Sequence, residues 1–156
     1  MAKPKRVRSL LIDAYAAGLL TEQLVNRELE RIGISPQGFA VLSAIVVSDP
    51  MTPTDLAEVT GHRYSTLLDT LDRLADRGLV TRAPHPTDGR SYLVVPTRRG
   101  VALVQRGKPA VTRSMDAIRR TLPPGTTYAD VEAAVHSLRE ALTLAVEEPA
   151  VVSRPA

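Results

Sequence analysis

The residues best placed for chemistry lie in "HPTDGRSYLVV", 85–95. Asp88-Gly89 is a strong two-residue hairpin signal, because a type I′ turn needs φ > 0 at both central positions and Asp-Gly tolerates it. Arg90 follows the turn directly, and Tyr92 to Val95 has the β-branched and aromatic character of a strand. A guanidinium beside the tip of a thin hairpin is placed to meet an anion such as phosphate. The surrounding charge agrees. Residues 62–120 carry twelve basic and five acidic side chains, against six and seven in 1–61 and two and five in 121–156. The central +7 segment between near-neutral or acidic flanks points to a polyanionic partner, or else to a solvated basic face.

Other chemistries are excluded by composition or lack a signal. There is no cysteine, which removes thiolate nucleophiles, disulfides and thiol redox sensing. Three scattered histidines, His62, His85 and His136, do not have metal-ligand spacing, so neither a metal nor a cofactor is expected. His62 reads as a polar residue at a turn. No Gly-rich phosphate loop, Ser/His/Asp order or paired-carboxylate motif appears, and no catalysis is expected. The N-terminal "MAKPKRVRSLLIDAYAAGLL" reads as a helix with a basic leader rather than a signal peptide, since Asp13 interrupts its apolar stretch. No apolar run approaches the ~20 residues that span a bilayer. A soluble, cytoplasmic protein without a membrane partner is expected.

The elements that must position the basic segment follow from periodicity and caps. Residues 9–32 predict a long helix, with Leu11, Tyr15, Leu19, Val25, Leu29 and Ile32 at roughly one-turn spacing and Gly33 as its stop. Ser35-Pro36 opens a second helix, apolar nearly all round and therefore buried, which Asp49-Pro50 ends. Thr52, Pro53 and Asp55 start a short helix with capping-box spacing, and Gly61 closes it. A further helix runs from Arg63 to Arg77, with Leu67, Leu71 and Leu74 inward and Gly78 at its end. Two short helices joined by a Gly-containing turn form a helix-turn-helix. Strands over Leu79–Ala83 and Ser91–Val95 flank the hairpin tip, and a helical pattern resumes at Thr97 towards Leu122. Pro109 is expected to kink or split it. "PPGTT" is a loop. The last helix, Tyr128 to about Glu147, carries Tyr128, Val131, Val135, Leu138, Leu142 and Ala145 at alternating spacings of three and four, a coiled-coil-like seam. The tail "EPAVVSRPA" is expected to be disordered. The fold class is mainly α, with a two-stranded β-wing.

In order and spacing, "RELERIGISPQGFAVLSAI", "TPTDLAEVTG", "LDRLADRGLVTR" and "DGRSYLVVPTRRG" resemble the MarR family of winged helix-turn-helix transcriptional regulators, over roughly residues 8 to 145. The resemblance implies a homodimer whose first and last helices interlock. It implies a recognition helix in the major groove of a pseudo-palindromic double-stranded DNA operator and a wing in the minor groove. Many members are repressors released by small phenolic or other lipophilic anions. On this pattern residues 1–35 and 101–147 are dimerisation regions, 36–100 the DNA-binding lobe and 148–156 a tail. The dimer interface is expected to include Leu11, Tyr15, Val131, Val135, Leu138 and Leu142. A monomer would leave that stripe exposed.

Under the same resemblance Arg90 is a minor-groove reader, oriented by a charge-assisted hydrogen bond that it donates to Asp88. Arg82, Arg98 and Arg99 are expected at phosphates. Arg63, Tyr64, Ser65 and Thr66 are placed to reach base edges or phosphates, with Thr70 and Arg73 further along. The chain departs from the family at Leu68 and Asp69, where a small hydroxyl residue and then a basic one are common. Asp69 either reads a cytosine or pairs with Arg73 at i+4, and the pairing is expected. Tyr15, Phe39 and Tyr128 are candidate ligand-pocket residues, although aromatics at helical spacing are more often core. The alternative reading is a winged-helix dimer that serves as a protein-interaction module without specific DNA binding.

Overall fold

The computed structural model describes residues 9–147. Its elements are α1 (Leu10–Leu29), a 3-10 turn (Glu30–Ile32), α2 (Pro36–Val47), α3 (Pro53–Thr60), α4 (Tyr64–Asp76), β1 (Val80–Pro84), β2 (Tyr92–Pro96), α5 (Arg98–Thr121) and α6 (Tyr128–Glu147). The chain divides between Ser114 and Met115 into two compact units. The basic leader and the C-terminal tail lie outside the described residues.

Caps fix the helix boundaries of the first unit. Ser35 Oγ accepts from the Gly38 N–H ahead of Pro36. Thr52 and Asp55 form a reciprocal capping box around Pro53. Each satisfies backbone donors that a helix start leaves unpaired. The predicted helix over 9–32 tightens into the 3-10 turn for its last residues, and Gly33 stops it in the left-handed region at φ 73°.

The core gathers on α2, where Val41 and Leu42 are fully buried and Phe39 and Ile45 nearly so. Leu56 of α3 and Leu67, Leu71 and Leu74 of α4 close over it. Burial of each leucine contributes about 1.5–3 kcal/mol relative to exposure. Because these leucines are spaced three and four apart, α4 buries one side and presents the other to solvent.

β1 and β2 pair antiparallel from Val80↔Pro96 to Pro84↔Tyr92, one residue later than predicted in each strand. Pro96 is the last paired residue of β2 rather than the residue beyond it. The ribbon is also tied to the helices: the Val94 N–H donates to the Met51 carbonyl just before α3 (2.8 Å). That bridge was not evident from sequence, since Met51 has no strand pattern around it.

At the other end of the wing, Thr97 Oγ1 donates to the Gly78 carbonyl (2.7 Å) and accepts from the Gly100 N–H (3.1 Å). It therefore caps α5 while holding the turn that follows α4. Gly100 lies so close to the Leu79 carbonyl that a Cβ would overlap it, and Gly107 meets the Phe39 ring in the same way.

Of the two outcomes expected at Pro109, a kink or a split, the split does not occur, for α5 is one helix from Arg98 to Thr121. Pro109 lies on its exposed side, while Leu103, Val104, Gly107 and Ala110 are buried. The packing of that buried face keeps the helix continuous across the missing N–H.

In the second unit Thr127 and Asp130 form a further capping box at the start of α6, with the Thr127 N–H 2.9 Å and its hydroxyl 2.7 Å from the Asp130 carboxylate. The hydroxyl and then the backbone N–H hold the Asp130 pKa below the ordinary aspartate value. The Arg119 guanidinium stacks over the Tyr128 ring, 4.5 Å from its centroid.

Candidate nucleic-acid interface

The solvent side of α4 begins with Arg63, Tyr64, Ser65 and Thr66, all exposed. Arg63 is the N-cap, so this tetrad surrounds the helix N-terminus, where unpaired N–H groups and the positive end of the dipole favour an anion. Thr70 does not join them. It is 5% exposed, and its hydroxyl donates to the Thr66 carbonyl and accepts from Gln37 Nε2. Its place on the leucine side of α4 makes it a packing residue, a correction to the sequence expectation.

Arg73 is exposed, but the expected ion pair with Asp69 is absent. Its Nε donates instead to the Asp69 backbone carbonyl (3.0 Å). The Asp69 carboxylate is left exposed, with no ion pair among the described residues. The rest of the exposed side, Asp72, Asp76 and Arg77, mixes both signs of charge.

The wing tip also differs from the predicted two-residue turn. Strand pairing ends at Pro84↔Tyr92, so residues 85–91 form the loop, and neither Asp88 nor Gly89 has a positive φ. A type I′ turn is therefore excluded. His85 supplies the missing organisation, its Nδ1 accepting from the Asp88 N–H (3.0 Å). Asp88 Oδ1 in turn accepts from the Arg90 backbone N–H (2.9 Å), and the Ser91 N–H reaches the Asp88 carbonyl (3.1 Å). Asp88 thus shapes the backbone at Arg90 and does not hold its guanidinium, which remains exposed. The carbonyl-to-N–H closure between Asp88 and Ser91 has the form of a β-turn.

Arg82, expected at a phosphate, is engaged within the chain. Its Nη2 lies 2.7 Å from Asp72 Oδ1, and the guanidinium stacks 4.8 Å from the centroid of the Tyr92 ring. Arg98 and Arg99 are exposed on the first turn of α5.

A cavity of about 760 Å³ lies beside this surface within the first unit. It is bounded by α1, α2, α5 and the start of α4, and its lining includes Phe39, as expected from sequence. Tyr15 does not line it and is 72% exposed, while Tyr128 belongs to the second unit. His62 and Thr66 do line it. His62 Nδ1 and Ser43 Oγ are buried without a hydrogen-bond partner among the described residues. Sequence reading treated His62 as a plain turn residue, since nothing in its neighbours showed it folding over a cavity.

No described helix is long and apolar enough to cross a membrane.

Residues 32–91 match the model of the MarR family. The multiple antibiotic resistance protein MarR of Salmonella typhimurium is 32% identical over 92 residues, covering 59% of this chain and 64% of its own length. The chain thus spans less than two thirds of that relative. Among solved structures, a mutant MarR of Escherichia coli complexed with operator DNA is 26% identical at a TM-score of 0.68, covering 86% of this chain and 99% of that one. The Mycobacterium tuberculosis regulator MOSR in complex with DNA is 21% identical and shares the fold, at a TM-score of 0.79 over 90% of this chain and 100% of its own. The chain thus resembles MarR-family regulators in sequence over residues 32–91 and in its winged helical fold.

Proposed function

We propose that the protein is a homodimeric, sequence-specific DNA-binding transcription regulator, a cytoplasmic repressor released by a small ligand, with no catalytic step. The observation that carries this reading is the exposed Arg63–Thr66 turn of α4, backed by buried leucines and accompanied by a wing with the free guanidinium of Arg90. An E. coli relative of the same fold is complexed with operator DNA. Arg63, Tyr64, Ser65 and Thr66 would enter the major groove, and Arg90 the minor groove, whose width of ~6 Å admits a hairpin tip. Arg73, Arg98 and Arg99 would contact phosphates.

Dimerisation is supported by apolar surface that a lone chain leaves in water. Leu11 is 67% exposed, Val135 60% and Leu142 40%, and Tyr15 is likewise open. Val131 and Leu138, half-buried, continue the α6 stripe. Isolated exposed apolar residues are ordinary, but a run of them along one helix marks an interaction surface. The cavity beside α4 falls within the ~300–1,000 Å³ range of small-molecule sites and is the candidate effector site.

Selection of bound sequences from a random duplex library, near physiological salt, tests the reading. A pseudo-palindrome with half-sites about one helical turn apart (~34–36 Å) is the expected product. A dimer, verified by sedimentation, that enriches nothing would favour the interaction-module alternative. The acidic groups on the exposed side of α4, Asp69, Asp72 and Asp76, are the feature that favours that alternative.

A further inference from the structure

The resemblance to MarR proteins implies anionic effectors, but the cavity beside α4 has the opposite chemistry. Among the described residues its one formally charged lining side chain is Glu22, with no lysine or arginine in the lining. The Glu22 carboxylate has no ion pair among the described residues. Gln37 Nε2 donates one of its two hydrogens to Thr70 Oγ1, and its Oε1 is an acceptor without a partner among the described residues. The Ser43 hydroxyl, which can donate or accept, and His62 Nδ1, whose role follows the ring tautomer, are also unpartnered there. The remaining surface, including Val25, Phe39 and Val111, is apolar. An anion placed here would lose its water and meet a carboxylate. An ammonium group would find a counter-ion in Glu22.

We propose that this cavity binds a lipophilic amine, its apolar body against Phe39 and its protonated amino group towards Glu22. Because Thr66 both lines the cavity and stands in the exposed turn of α4, an occupant adjoins the DNA-reading surface, so its regulatory meaning rests on the regulator reading above.

Calorimetry of the full chain with naphthylethylamine, naphthylethanol and naphthylacetate tests the assignment, since the three share one ring system and differ in charge. The amine is expected to bind roughly tenfold or more tighter than the acetate, the alcohol falling between, a gap of about 1.4 kcal/mol. Glu22→Gln, a change on an exposed helix side, is expected to weaken the amine about threefold to fivefold, as for an exposed ion pair, and to leave the alcohol unchanged. Equal or tighter binding of the acetate, an amine affinity unaltered in Glu22→Gln, or no binding by any of the three would overturn the proposal. Operator selection is scored separately. An enriched operator with no amine binding sinks the ligand assignment alone, whereas amine binding with the Glu22 effect and no operator sinks the regulator reading alone.

Discussion

Arg82 of β1 and Asp72 of α4 are joined across 2.7 Å, with the Arg82 guanidinium stacked on Tyr92 of the neighbouring strand. This cluster links the wing to the helix that presents the Arg63–Thr66 turn. Both partners are more than half exposed, so the pair itself contributes no more than about 0.2–1 kcal/mol of stability. Its value lies in fixing the angle of the wing. Arg82→Ala and Asp72→Ala are therefore both expected to weaken operator binding, by about threefold to fivefold each. The Asp72 variant decides the matter. Were Arg82 a phosphate contact, removing the acid beside it would tighten binding, and equilibrium titrations of the two variants separate the cases.

At the wing tip, Arg90→Ala is expected to cost about 1–3 kcal/mol of operator affinity while leaving the dimer intact. Asp88→Ala should lose part of the same affinity by releasing the Arg90 backbone, whereas Asp88→Asn, which keeps an acceptor oxygen, should retain it. Fluorescence anisotropy on the selected operator, with sedimentation as the control, measures all three. Undiminished binding by Arg90→Ala would remove the wing from the interface.

Much of this architecture was legible in the sequence because it depends on local rules. Ser35-Pro36, Thr52-Pro53-Asp55 and Gly61 fix helix ends through neighbours a few residues away, and all three act as their types predict. The inward leucines of α4 likewise follow from spacing alone. The failures have a common cause in contacts set by tertiary packing. Thr70 was expected at the DNA but lies with Leu67, Leu71 and Leu74 on the buried side of α4, where Gln37 of α2 meets its hydroxyl. The Asp88-Gly89 turn was misread because His85, not a positive φ, organises the loop. Nothing near Glu22, Ser43 or His62 in the chain reveals that they border one cavity.

Two glycines of α5 mark contacts too close for any side chain. Gly100→Ala is expected to destabilise by about 1–3 kcal/mol or more, since the new methyl meets the Leu79 backbone carbonyl. Gly107→Ala meets the Phe39 side chain instead. Phe39→Leu should therefore recover part of the loss in Gly107→Ala and none in Gly100→Ala. Urea denaturation of the single and double variants tests this, and rescue of both or of neither would refute the packing account.

Acid should loosen α6 at its cap. The Thr127 hydroxyl and N–H lower the Asp130 pKa, so the ionised form is the one that the fold favours. Stability from this group is complete above the ordinary aspartate range and is lost as pH falls through the lowered value. An NMR titration of the Asp130 carboxyl carbon is expected to show a midpoint below that of an unstructured aspartate. Thr127→Ala should return the midpoint towards the ordinary range, and a midpoint unmoved by that change would separate the shift from the cap.

The exposed carboxylate of Asp69 carries the least conventional expectation for DNA recognition. Arg73 takes the Asp69 backbone carbonyl, and the Asp69 carboxylate has no ion pair among the described residues. A bare carboxylate on a helix placed in a groove would repel phosphates but accept well from the exocyclic amine of cytosine. If Asp69 reaches a base, Asp69→Asn should relax or shift preference at one base pair per half-site, by about 1–3 kcal/mol, and leave the other positions alone. If it merely faces the DNA, the same change should tighten binding uniformly on all sequences and more strongly at low salt. Repeating the selection with the variant distinguishes the two, because only base readout changes the enriched sequence.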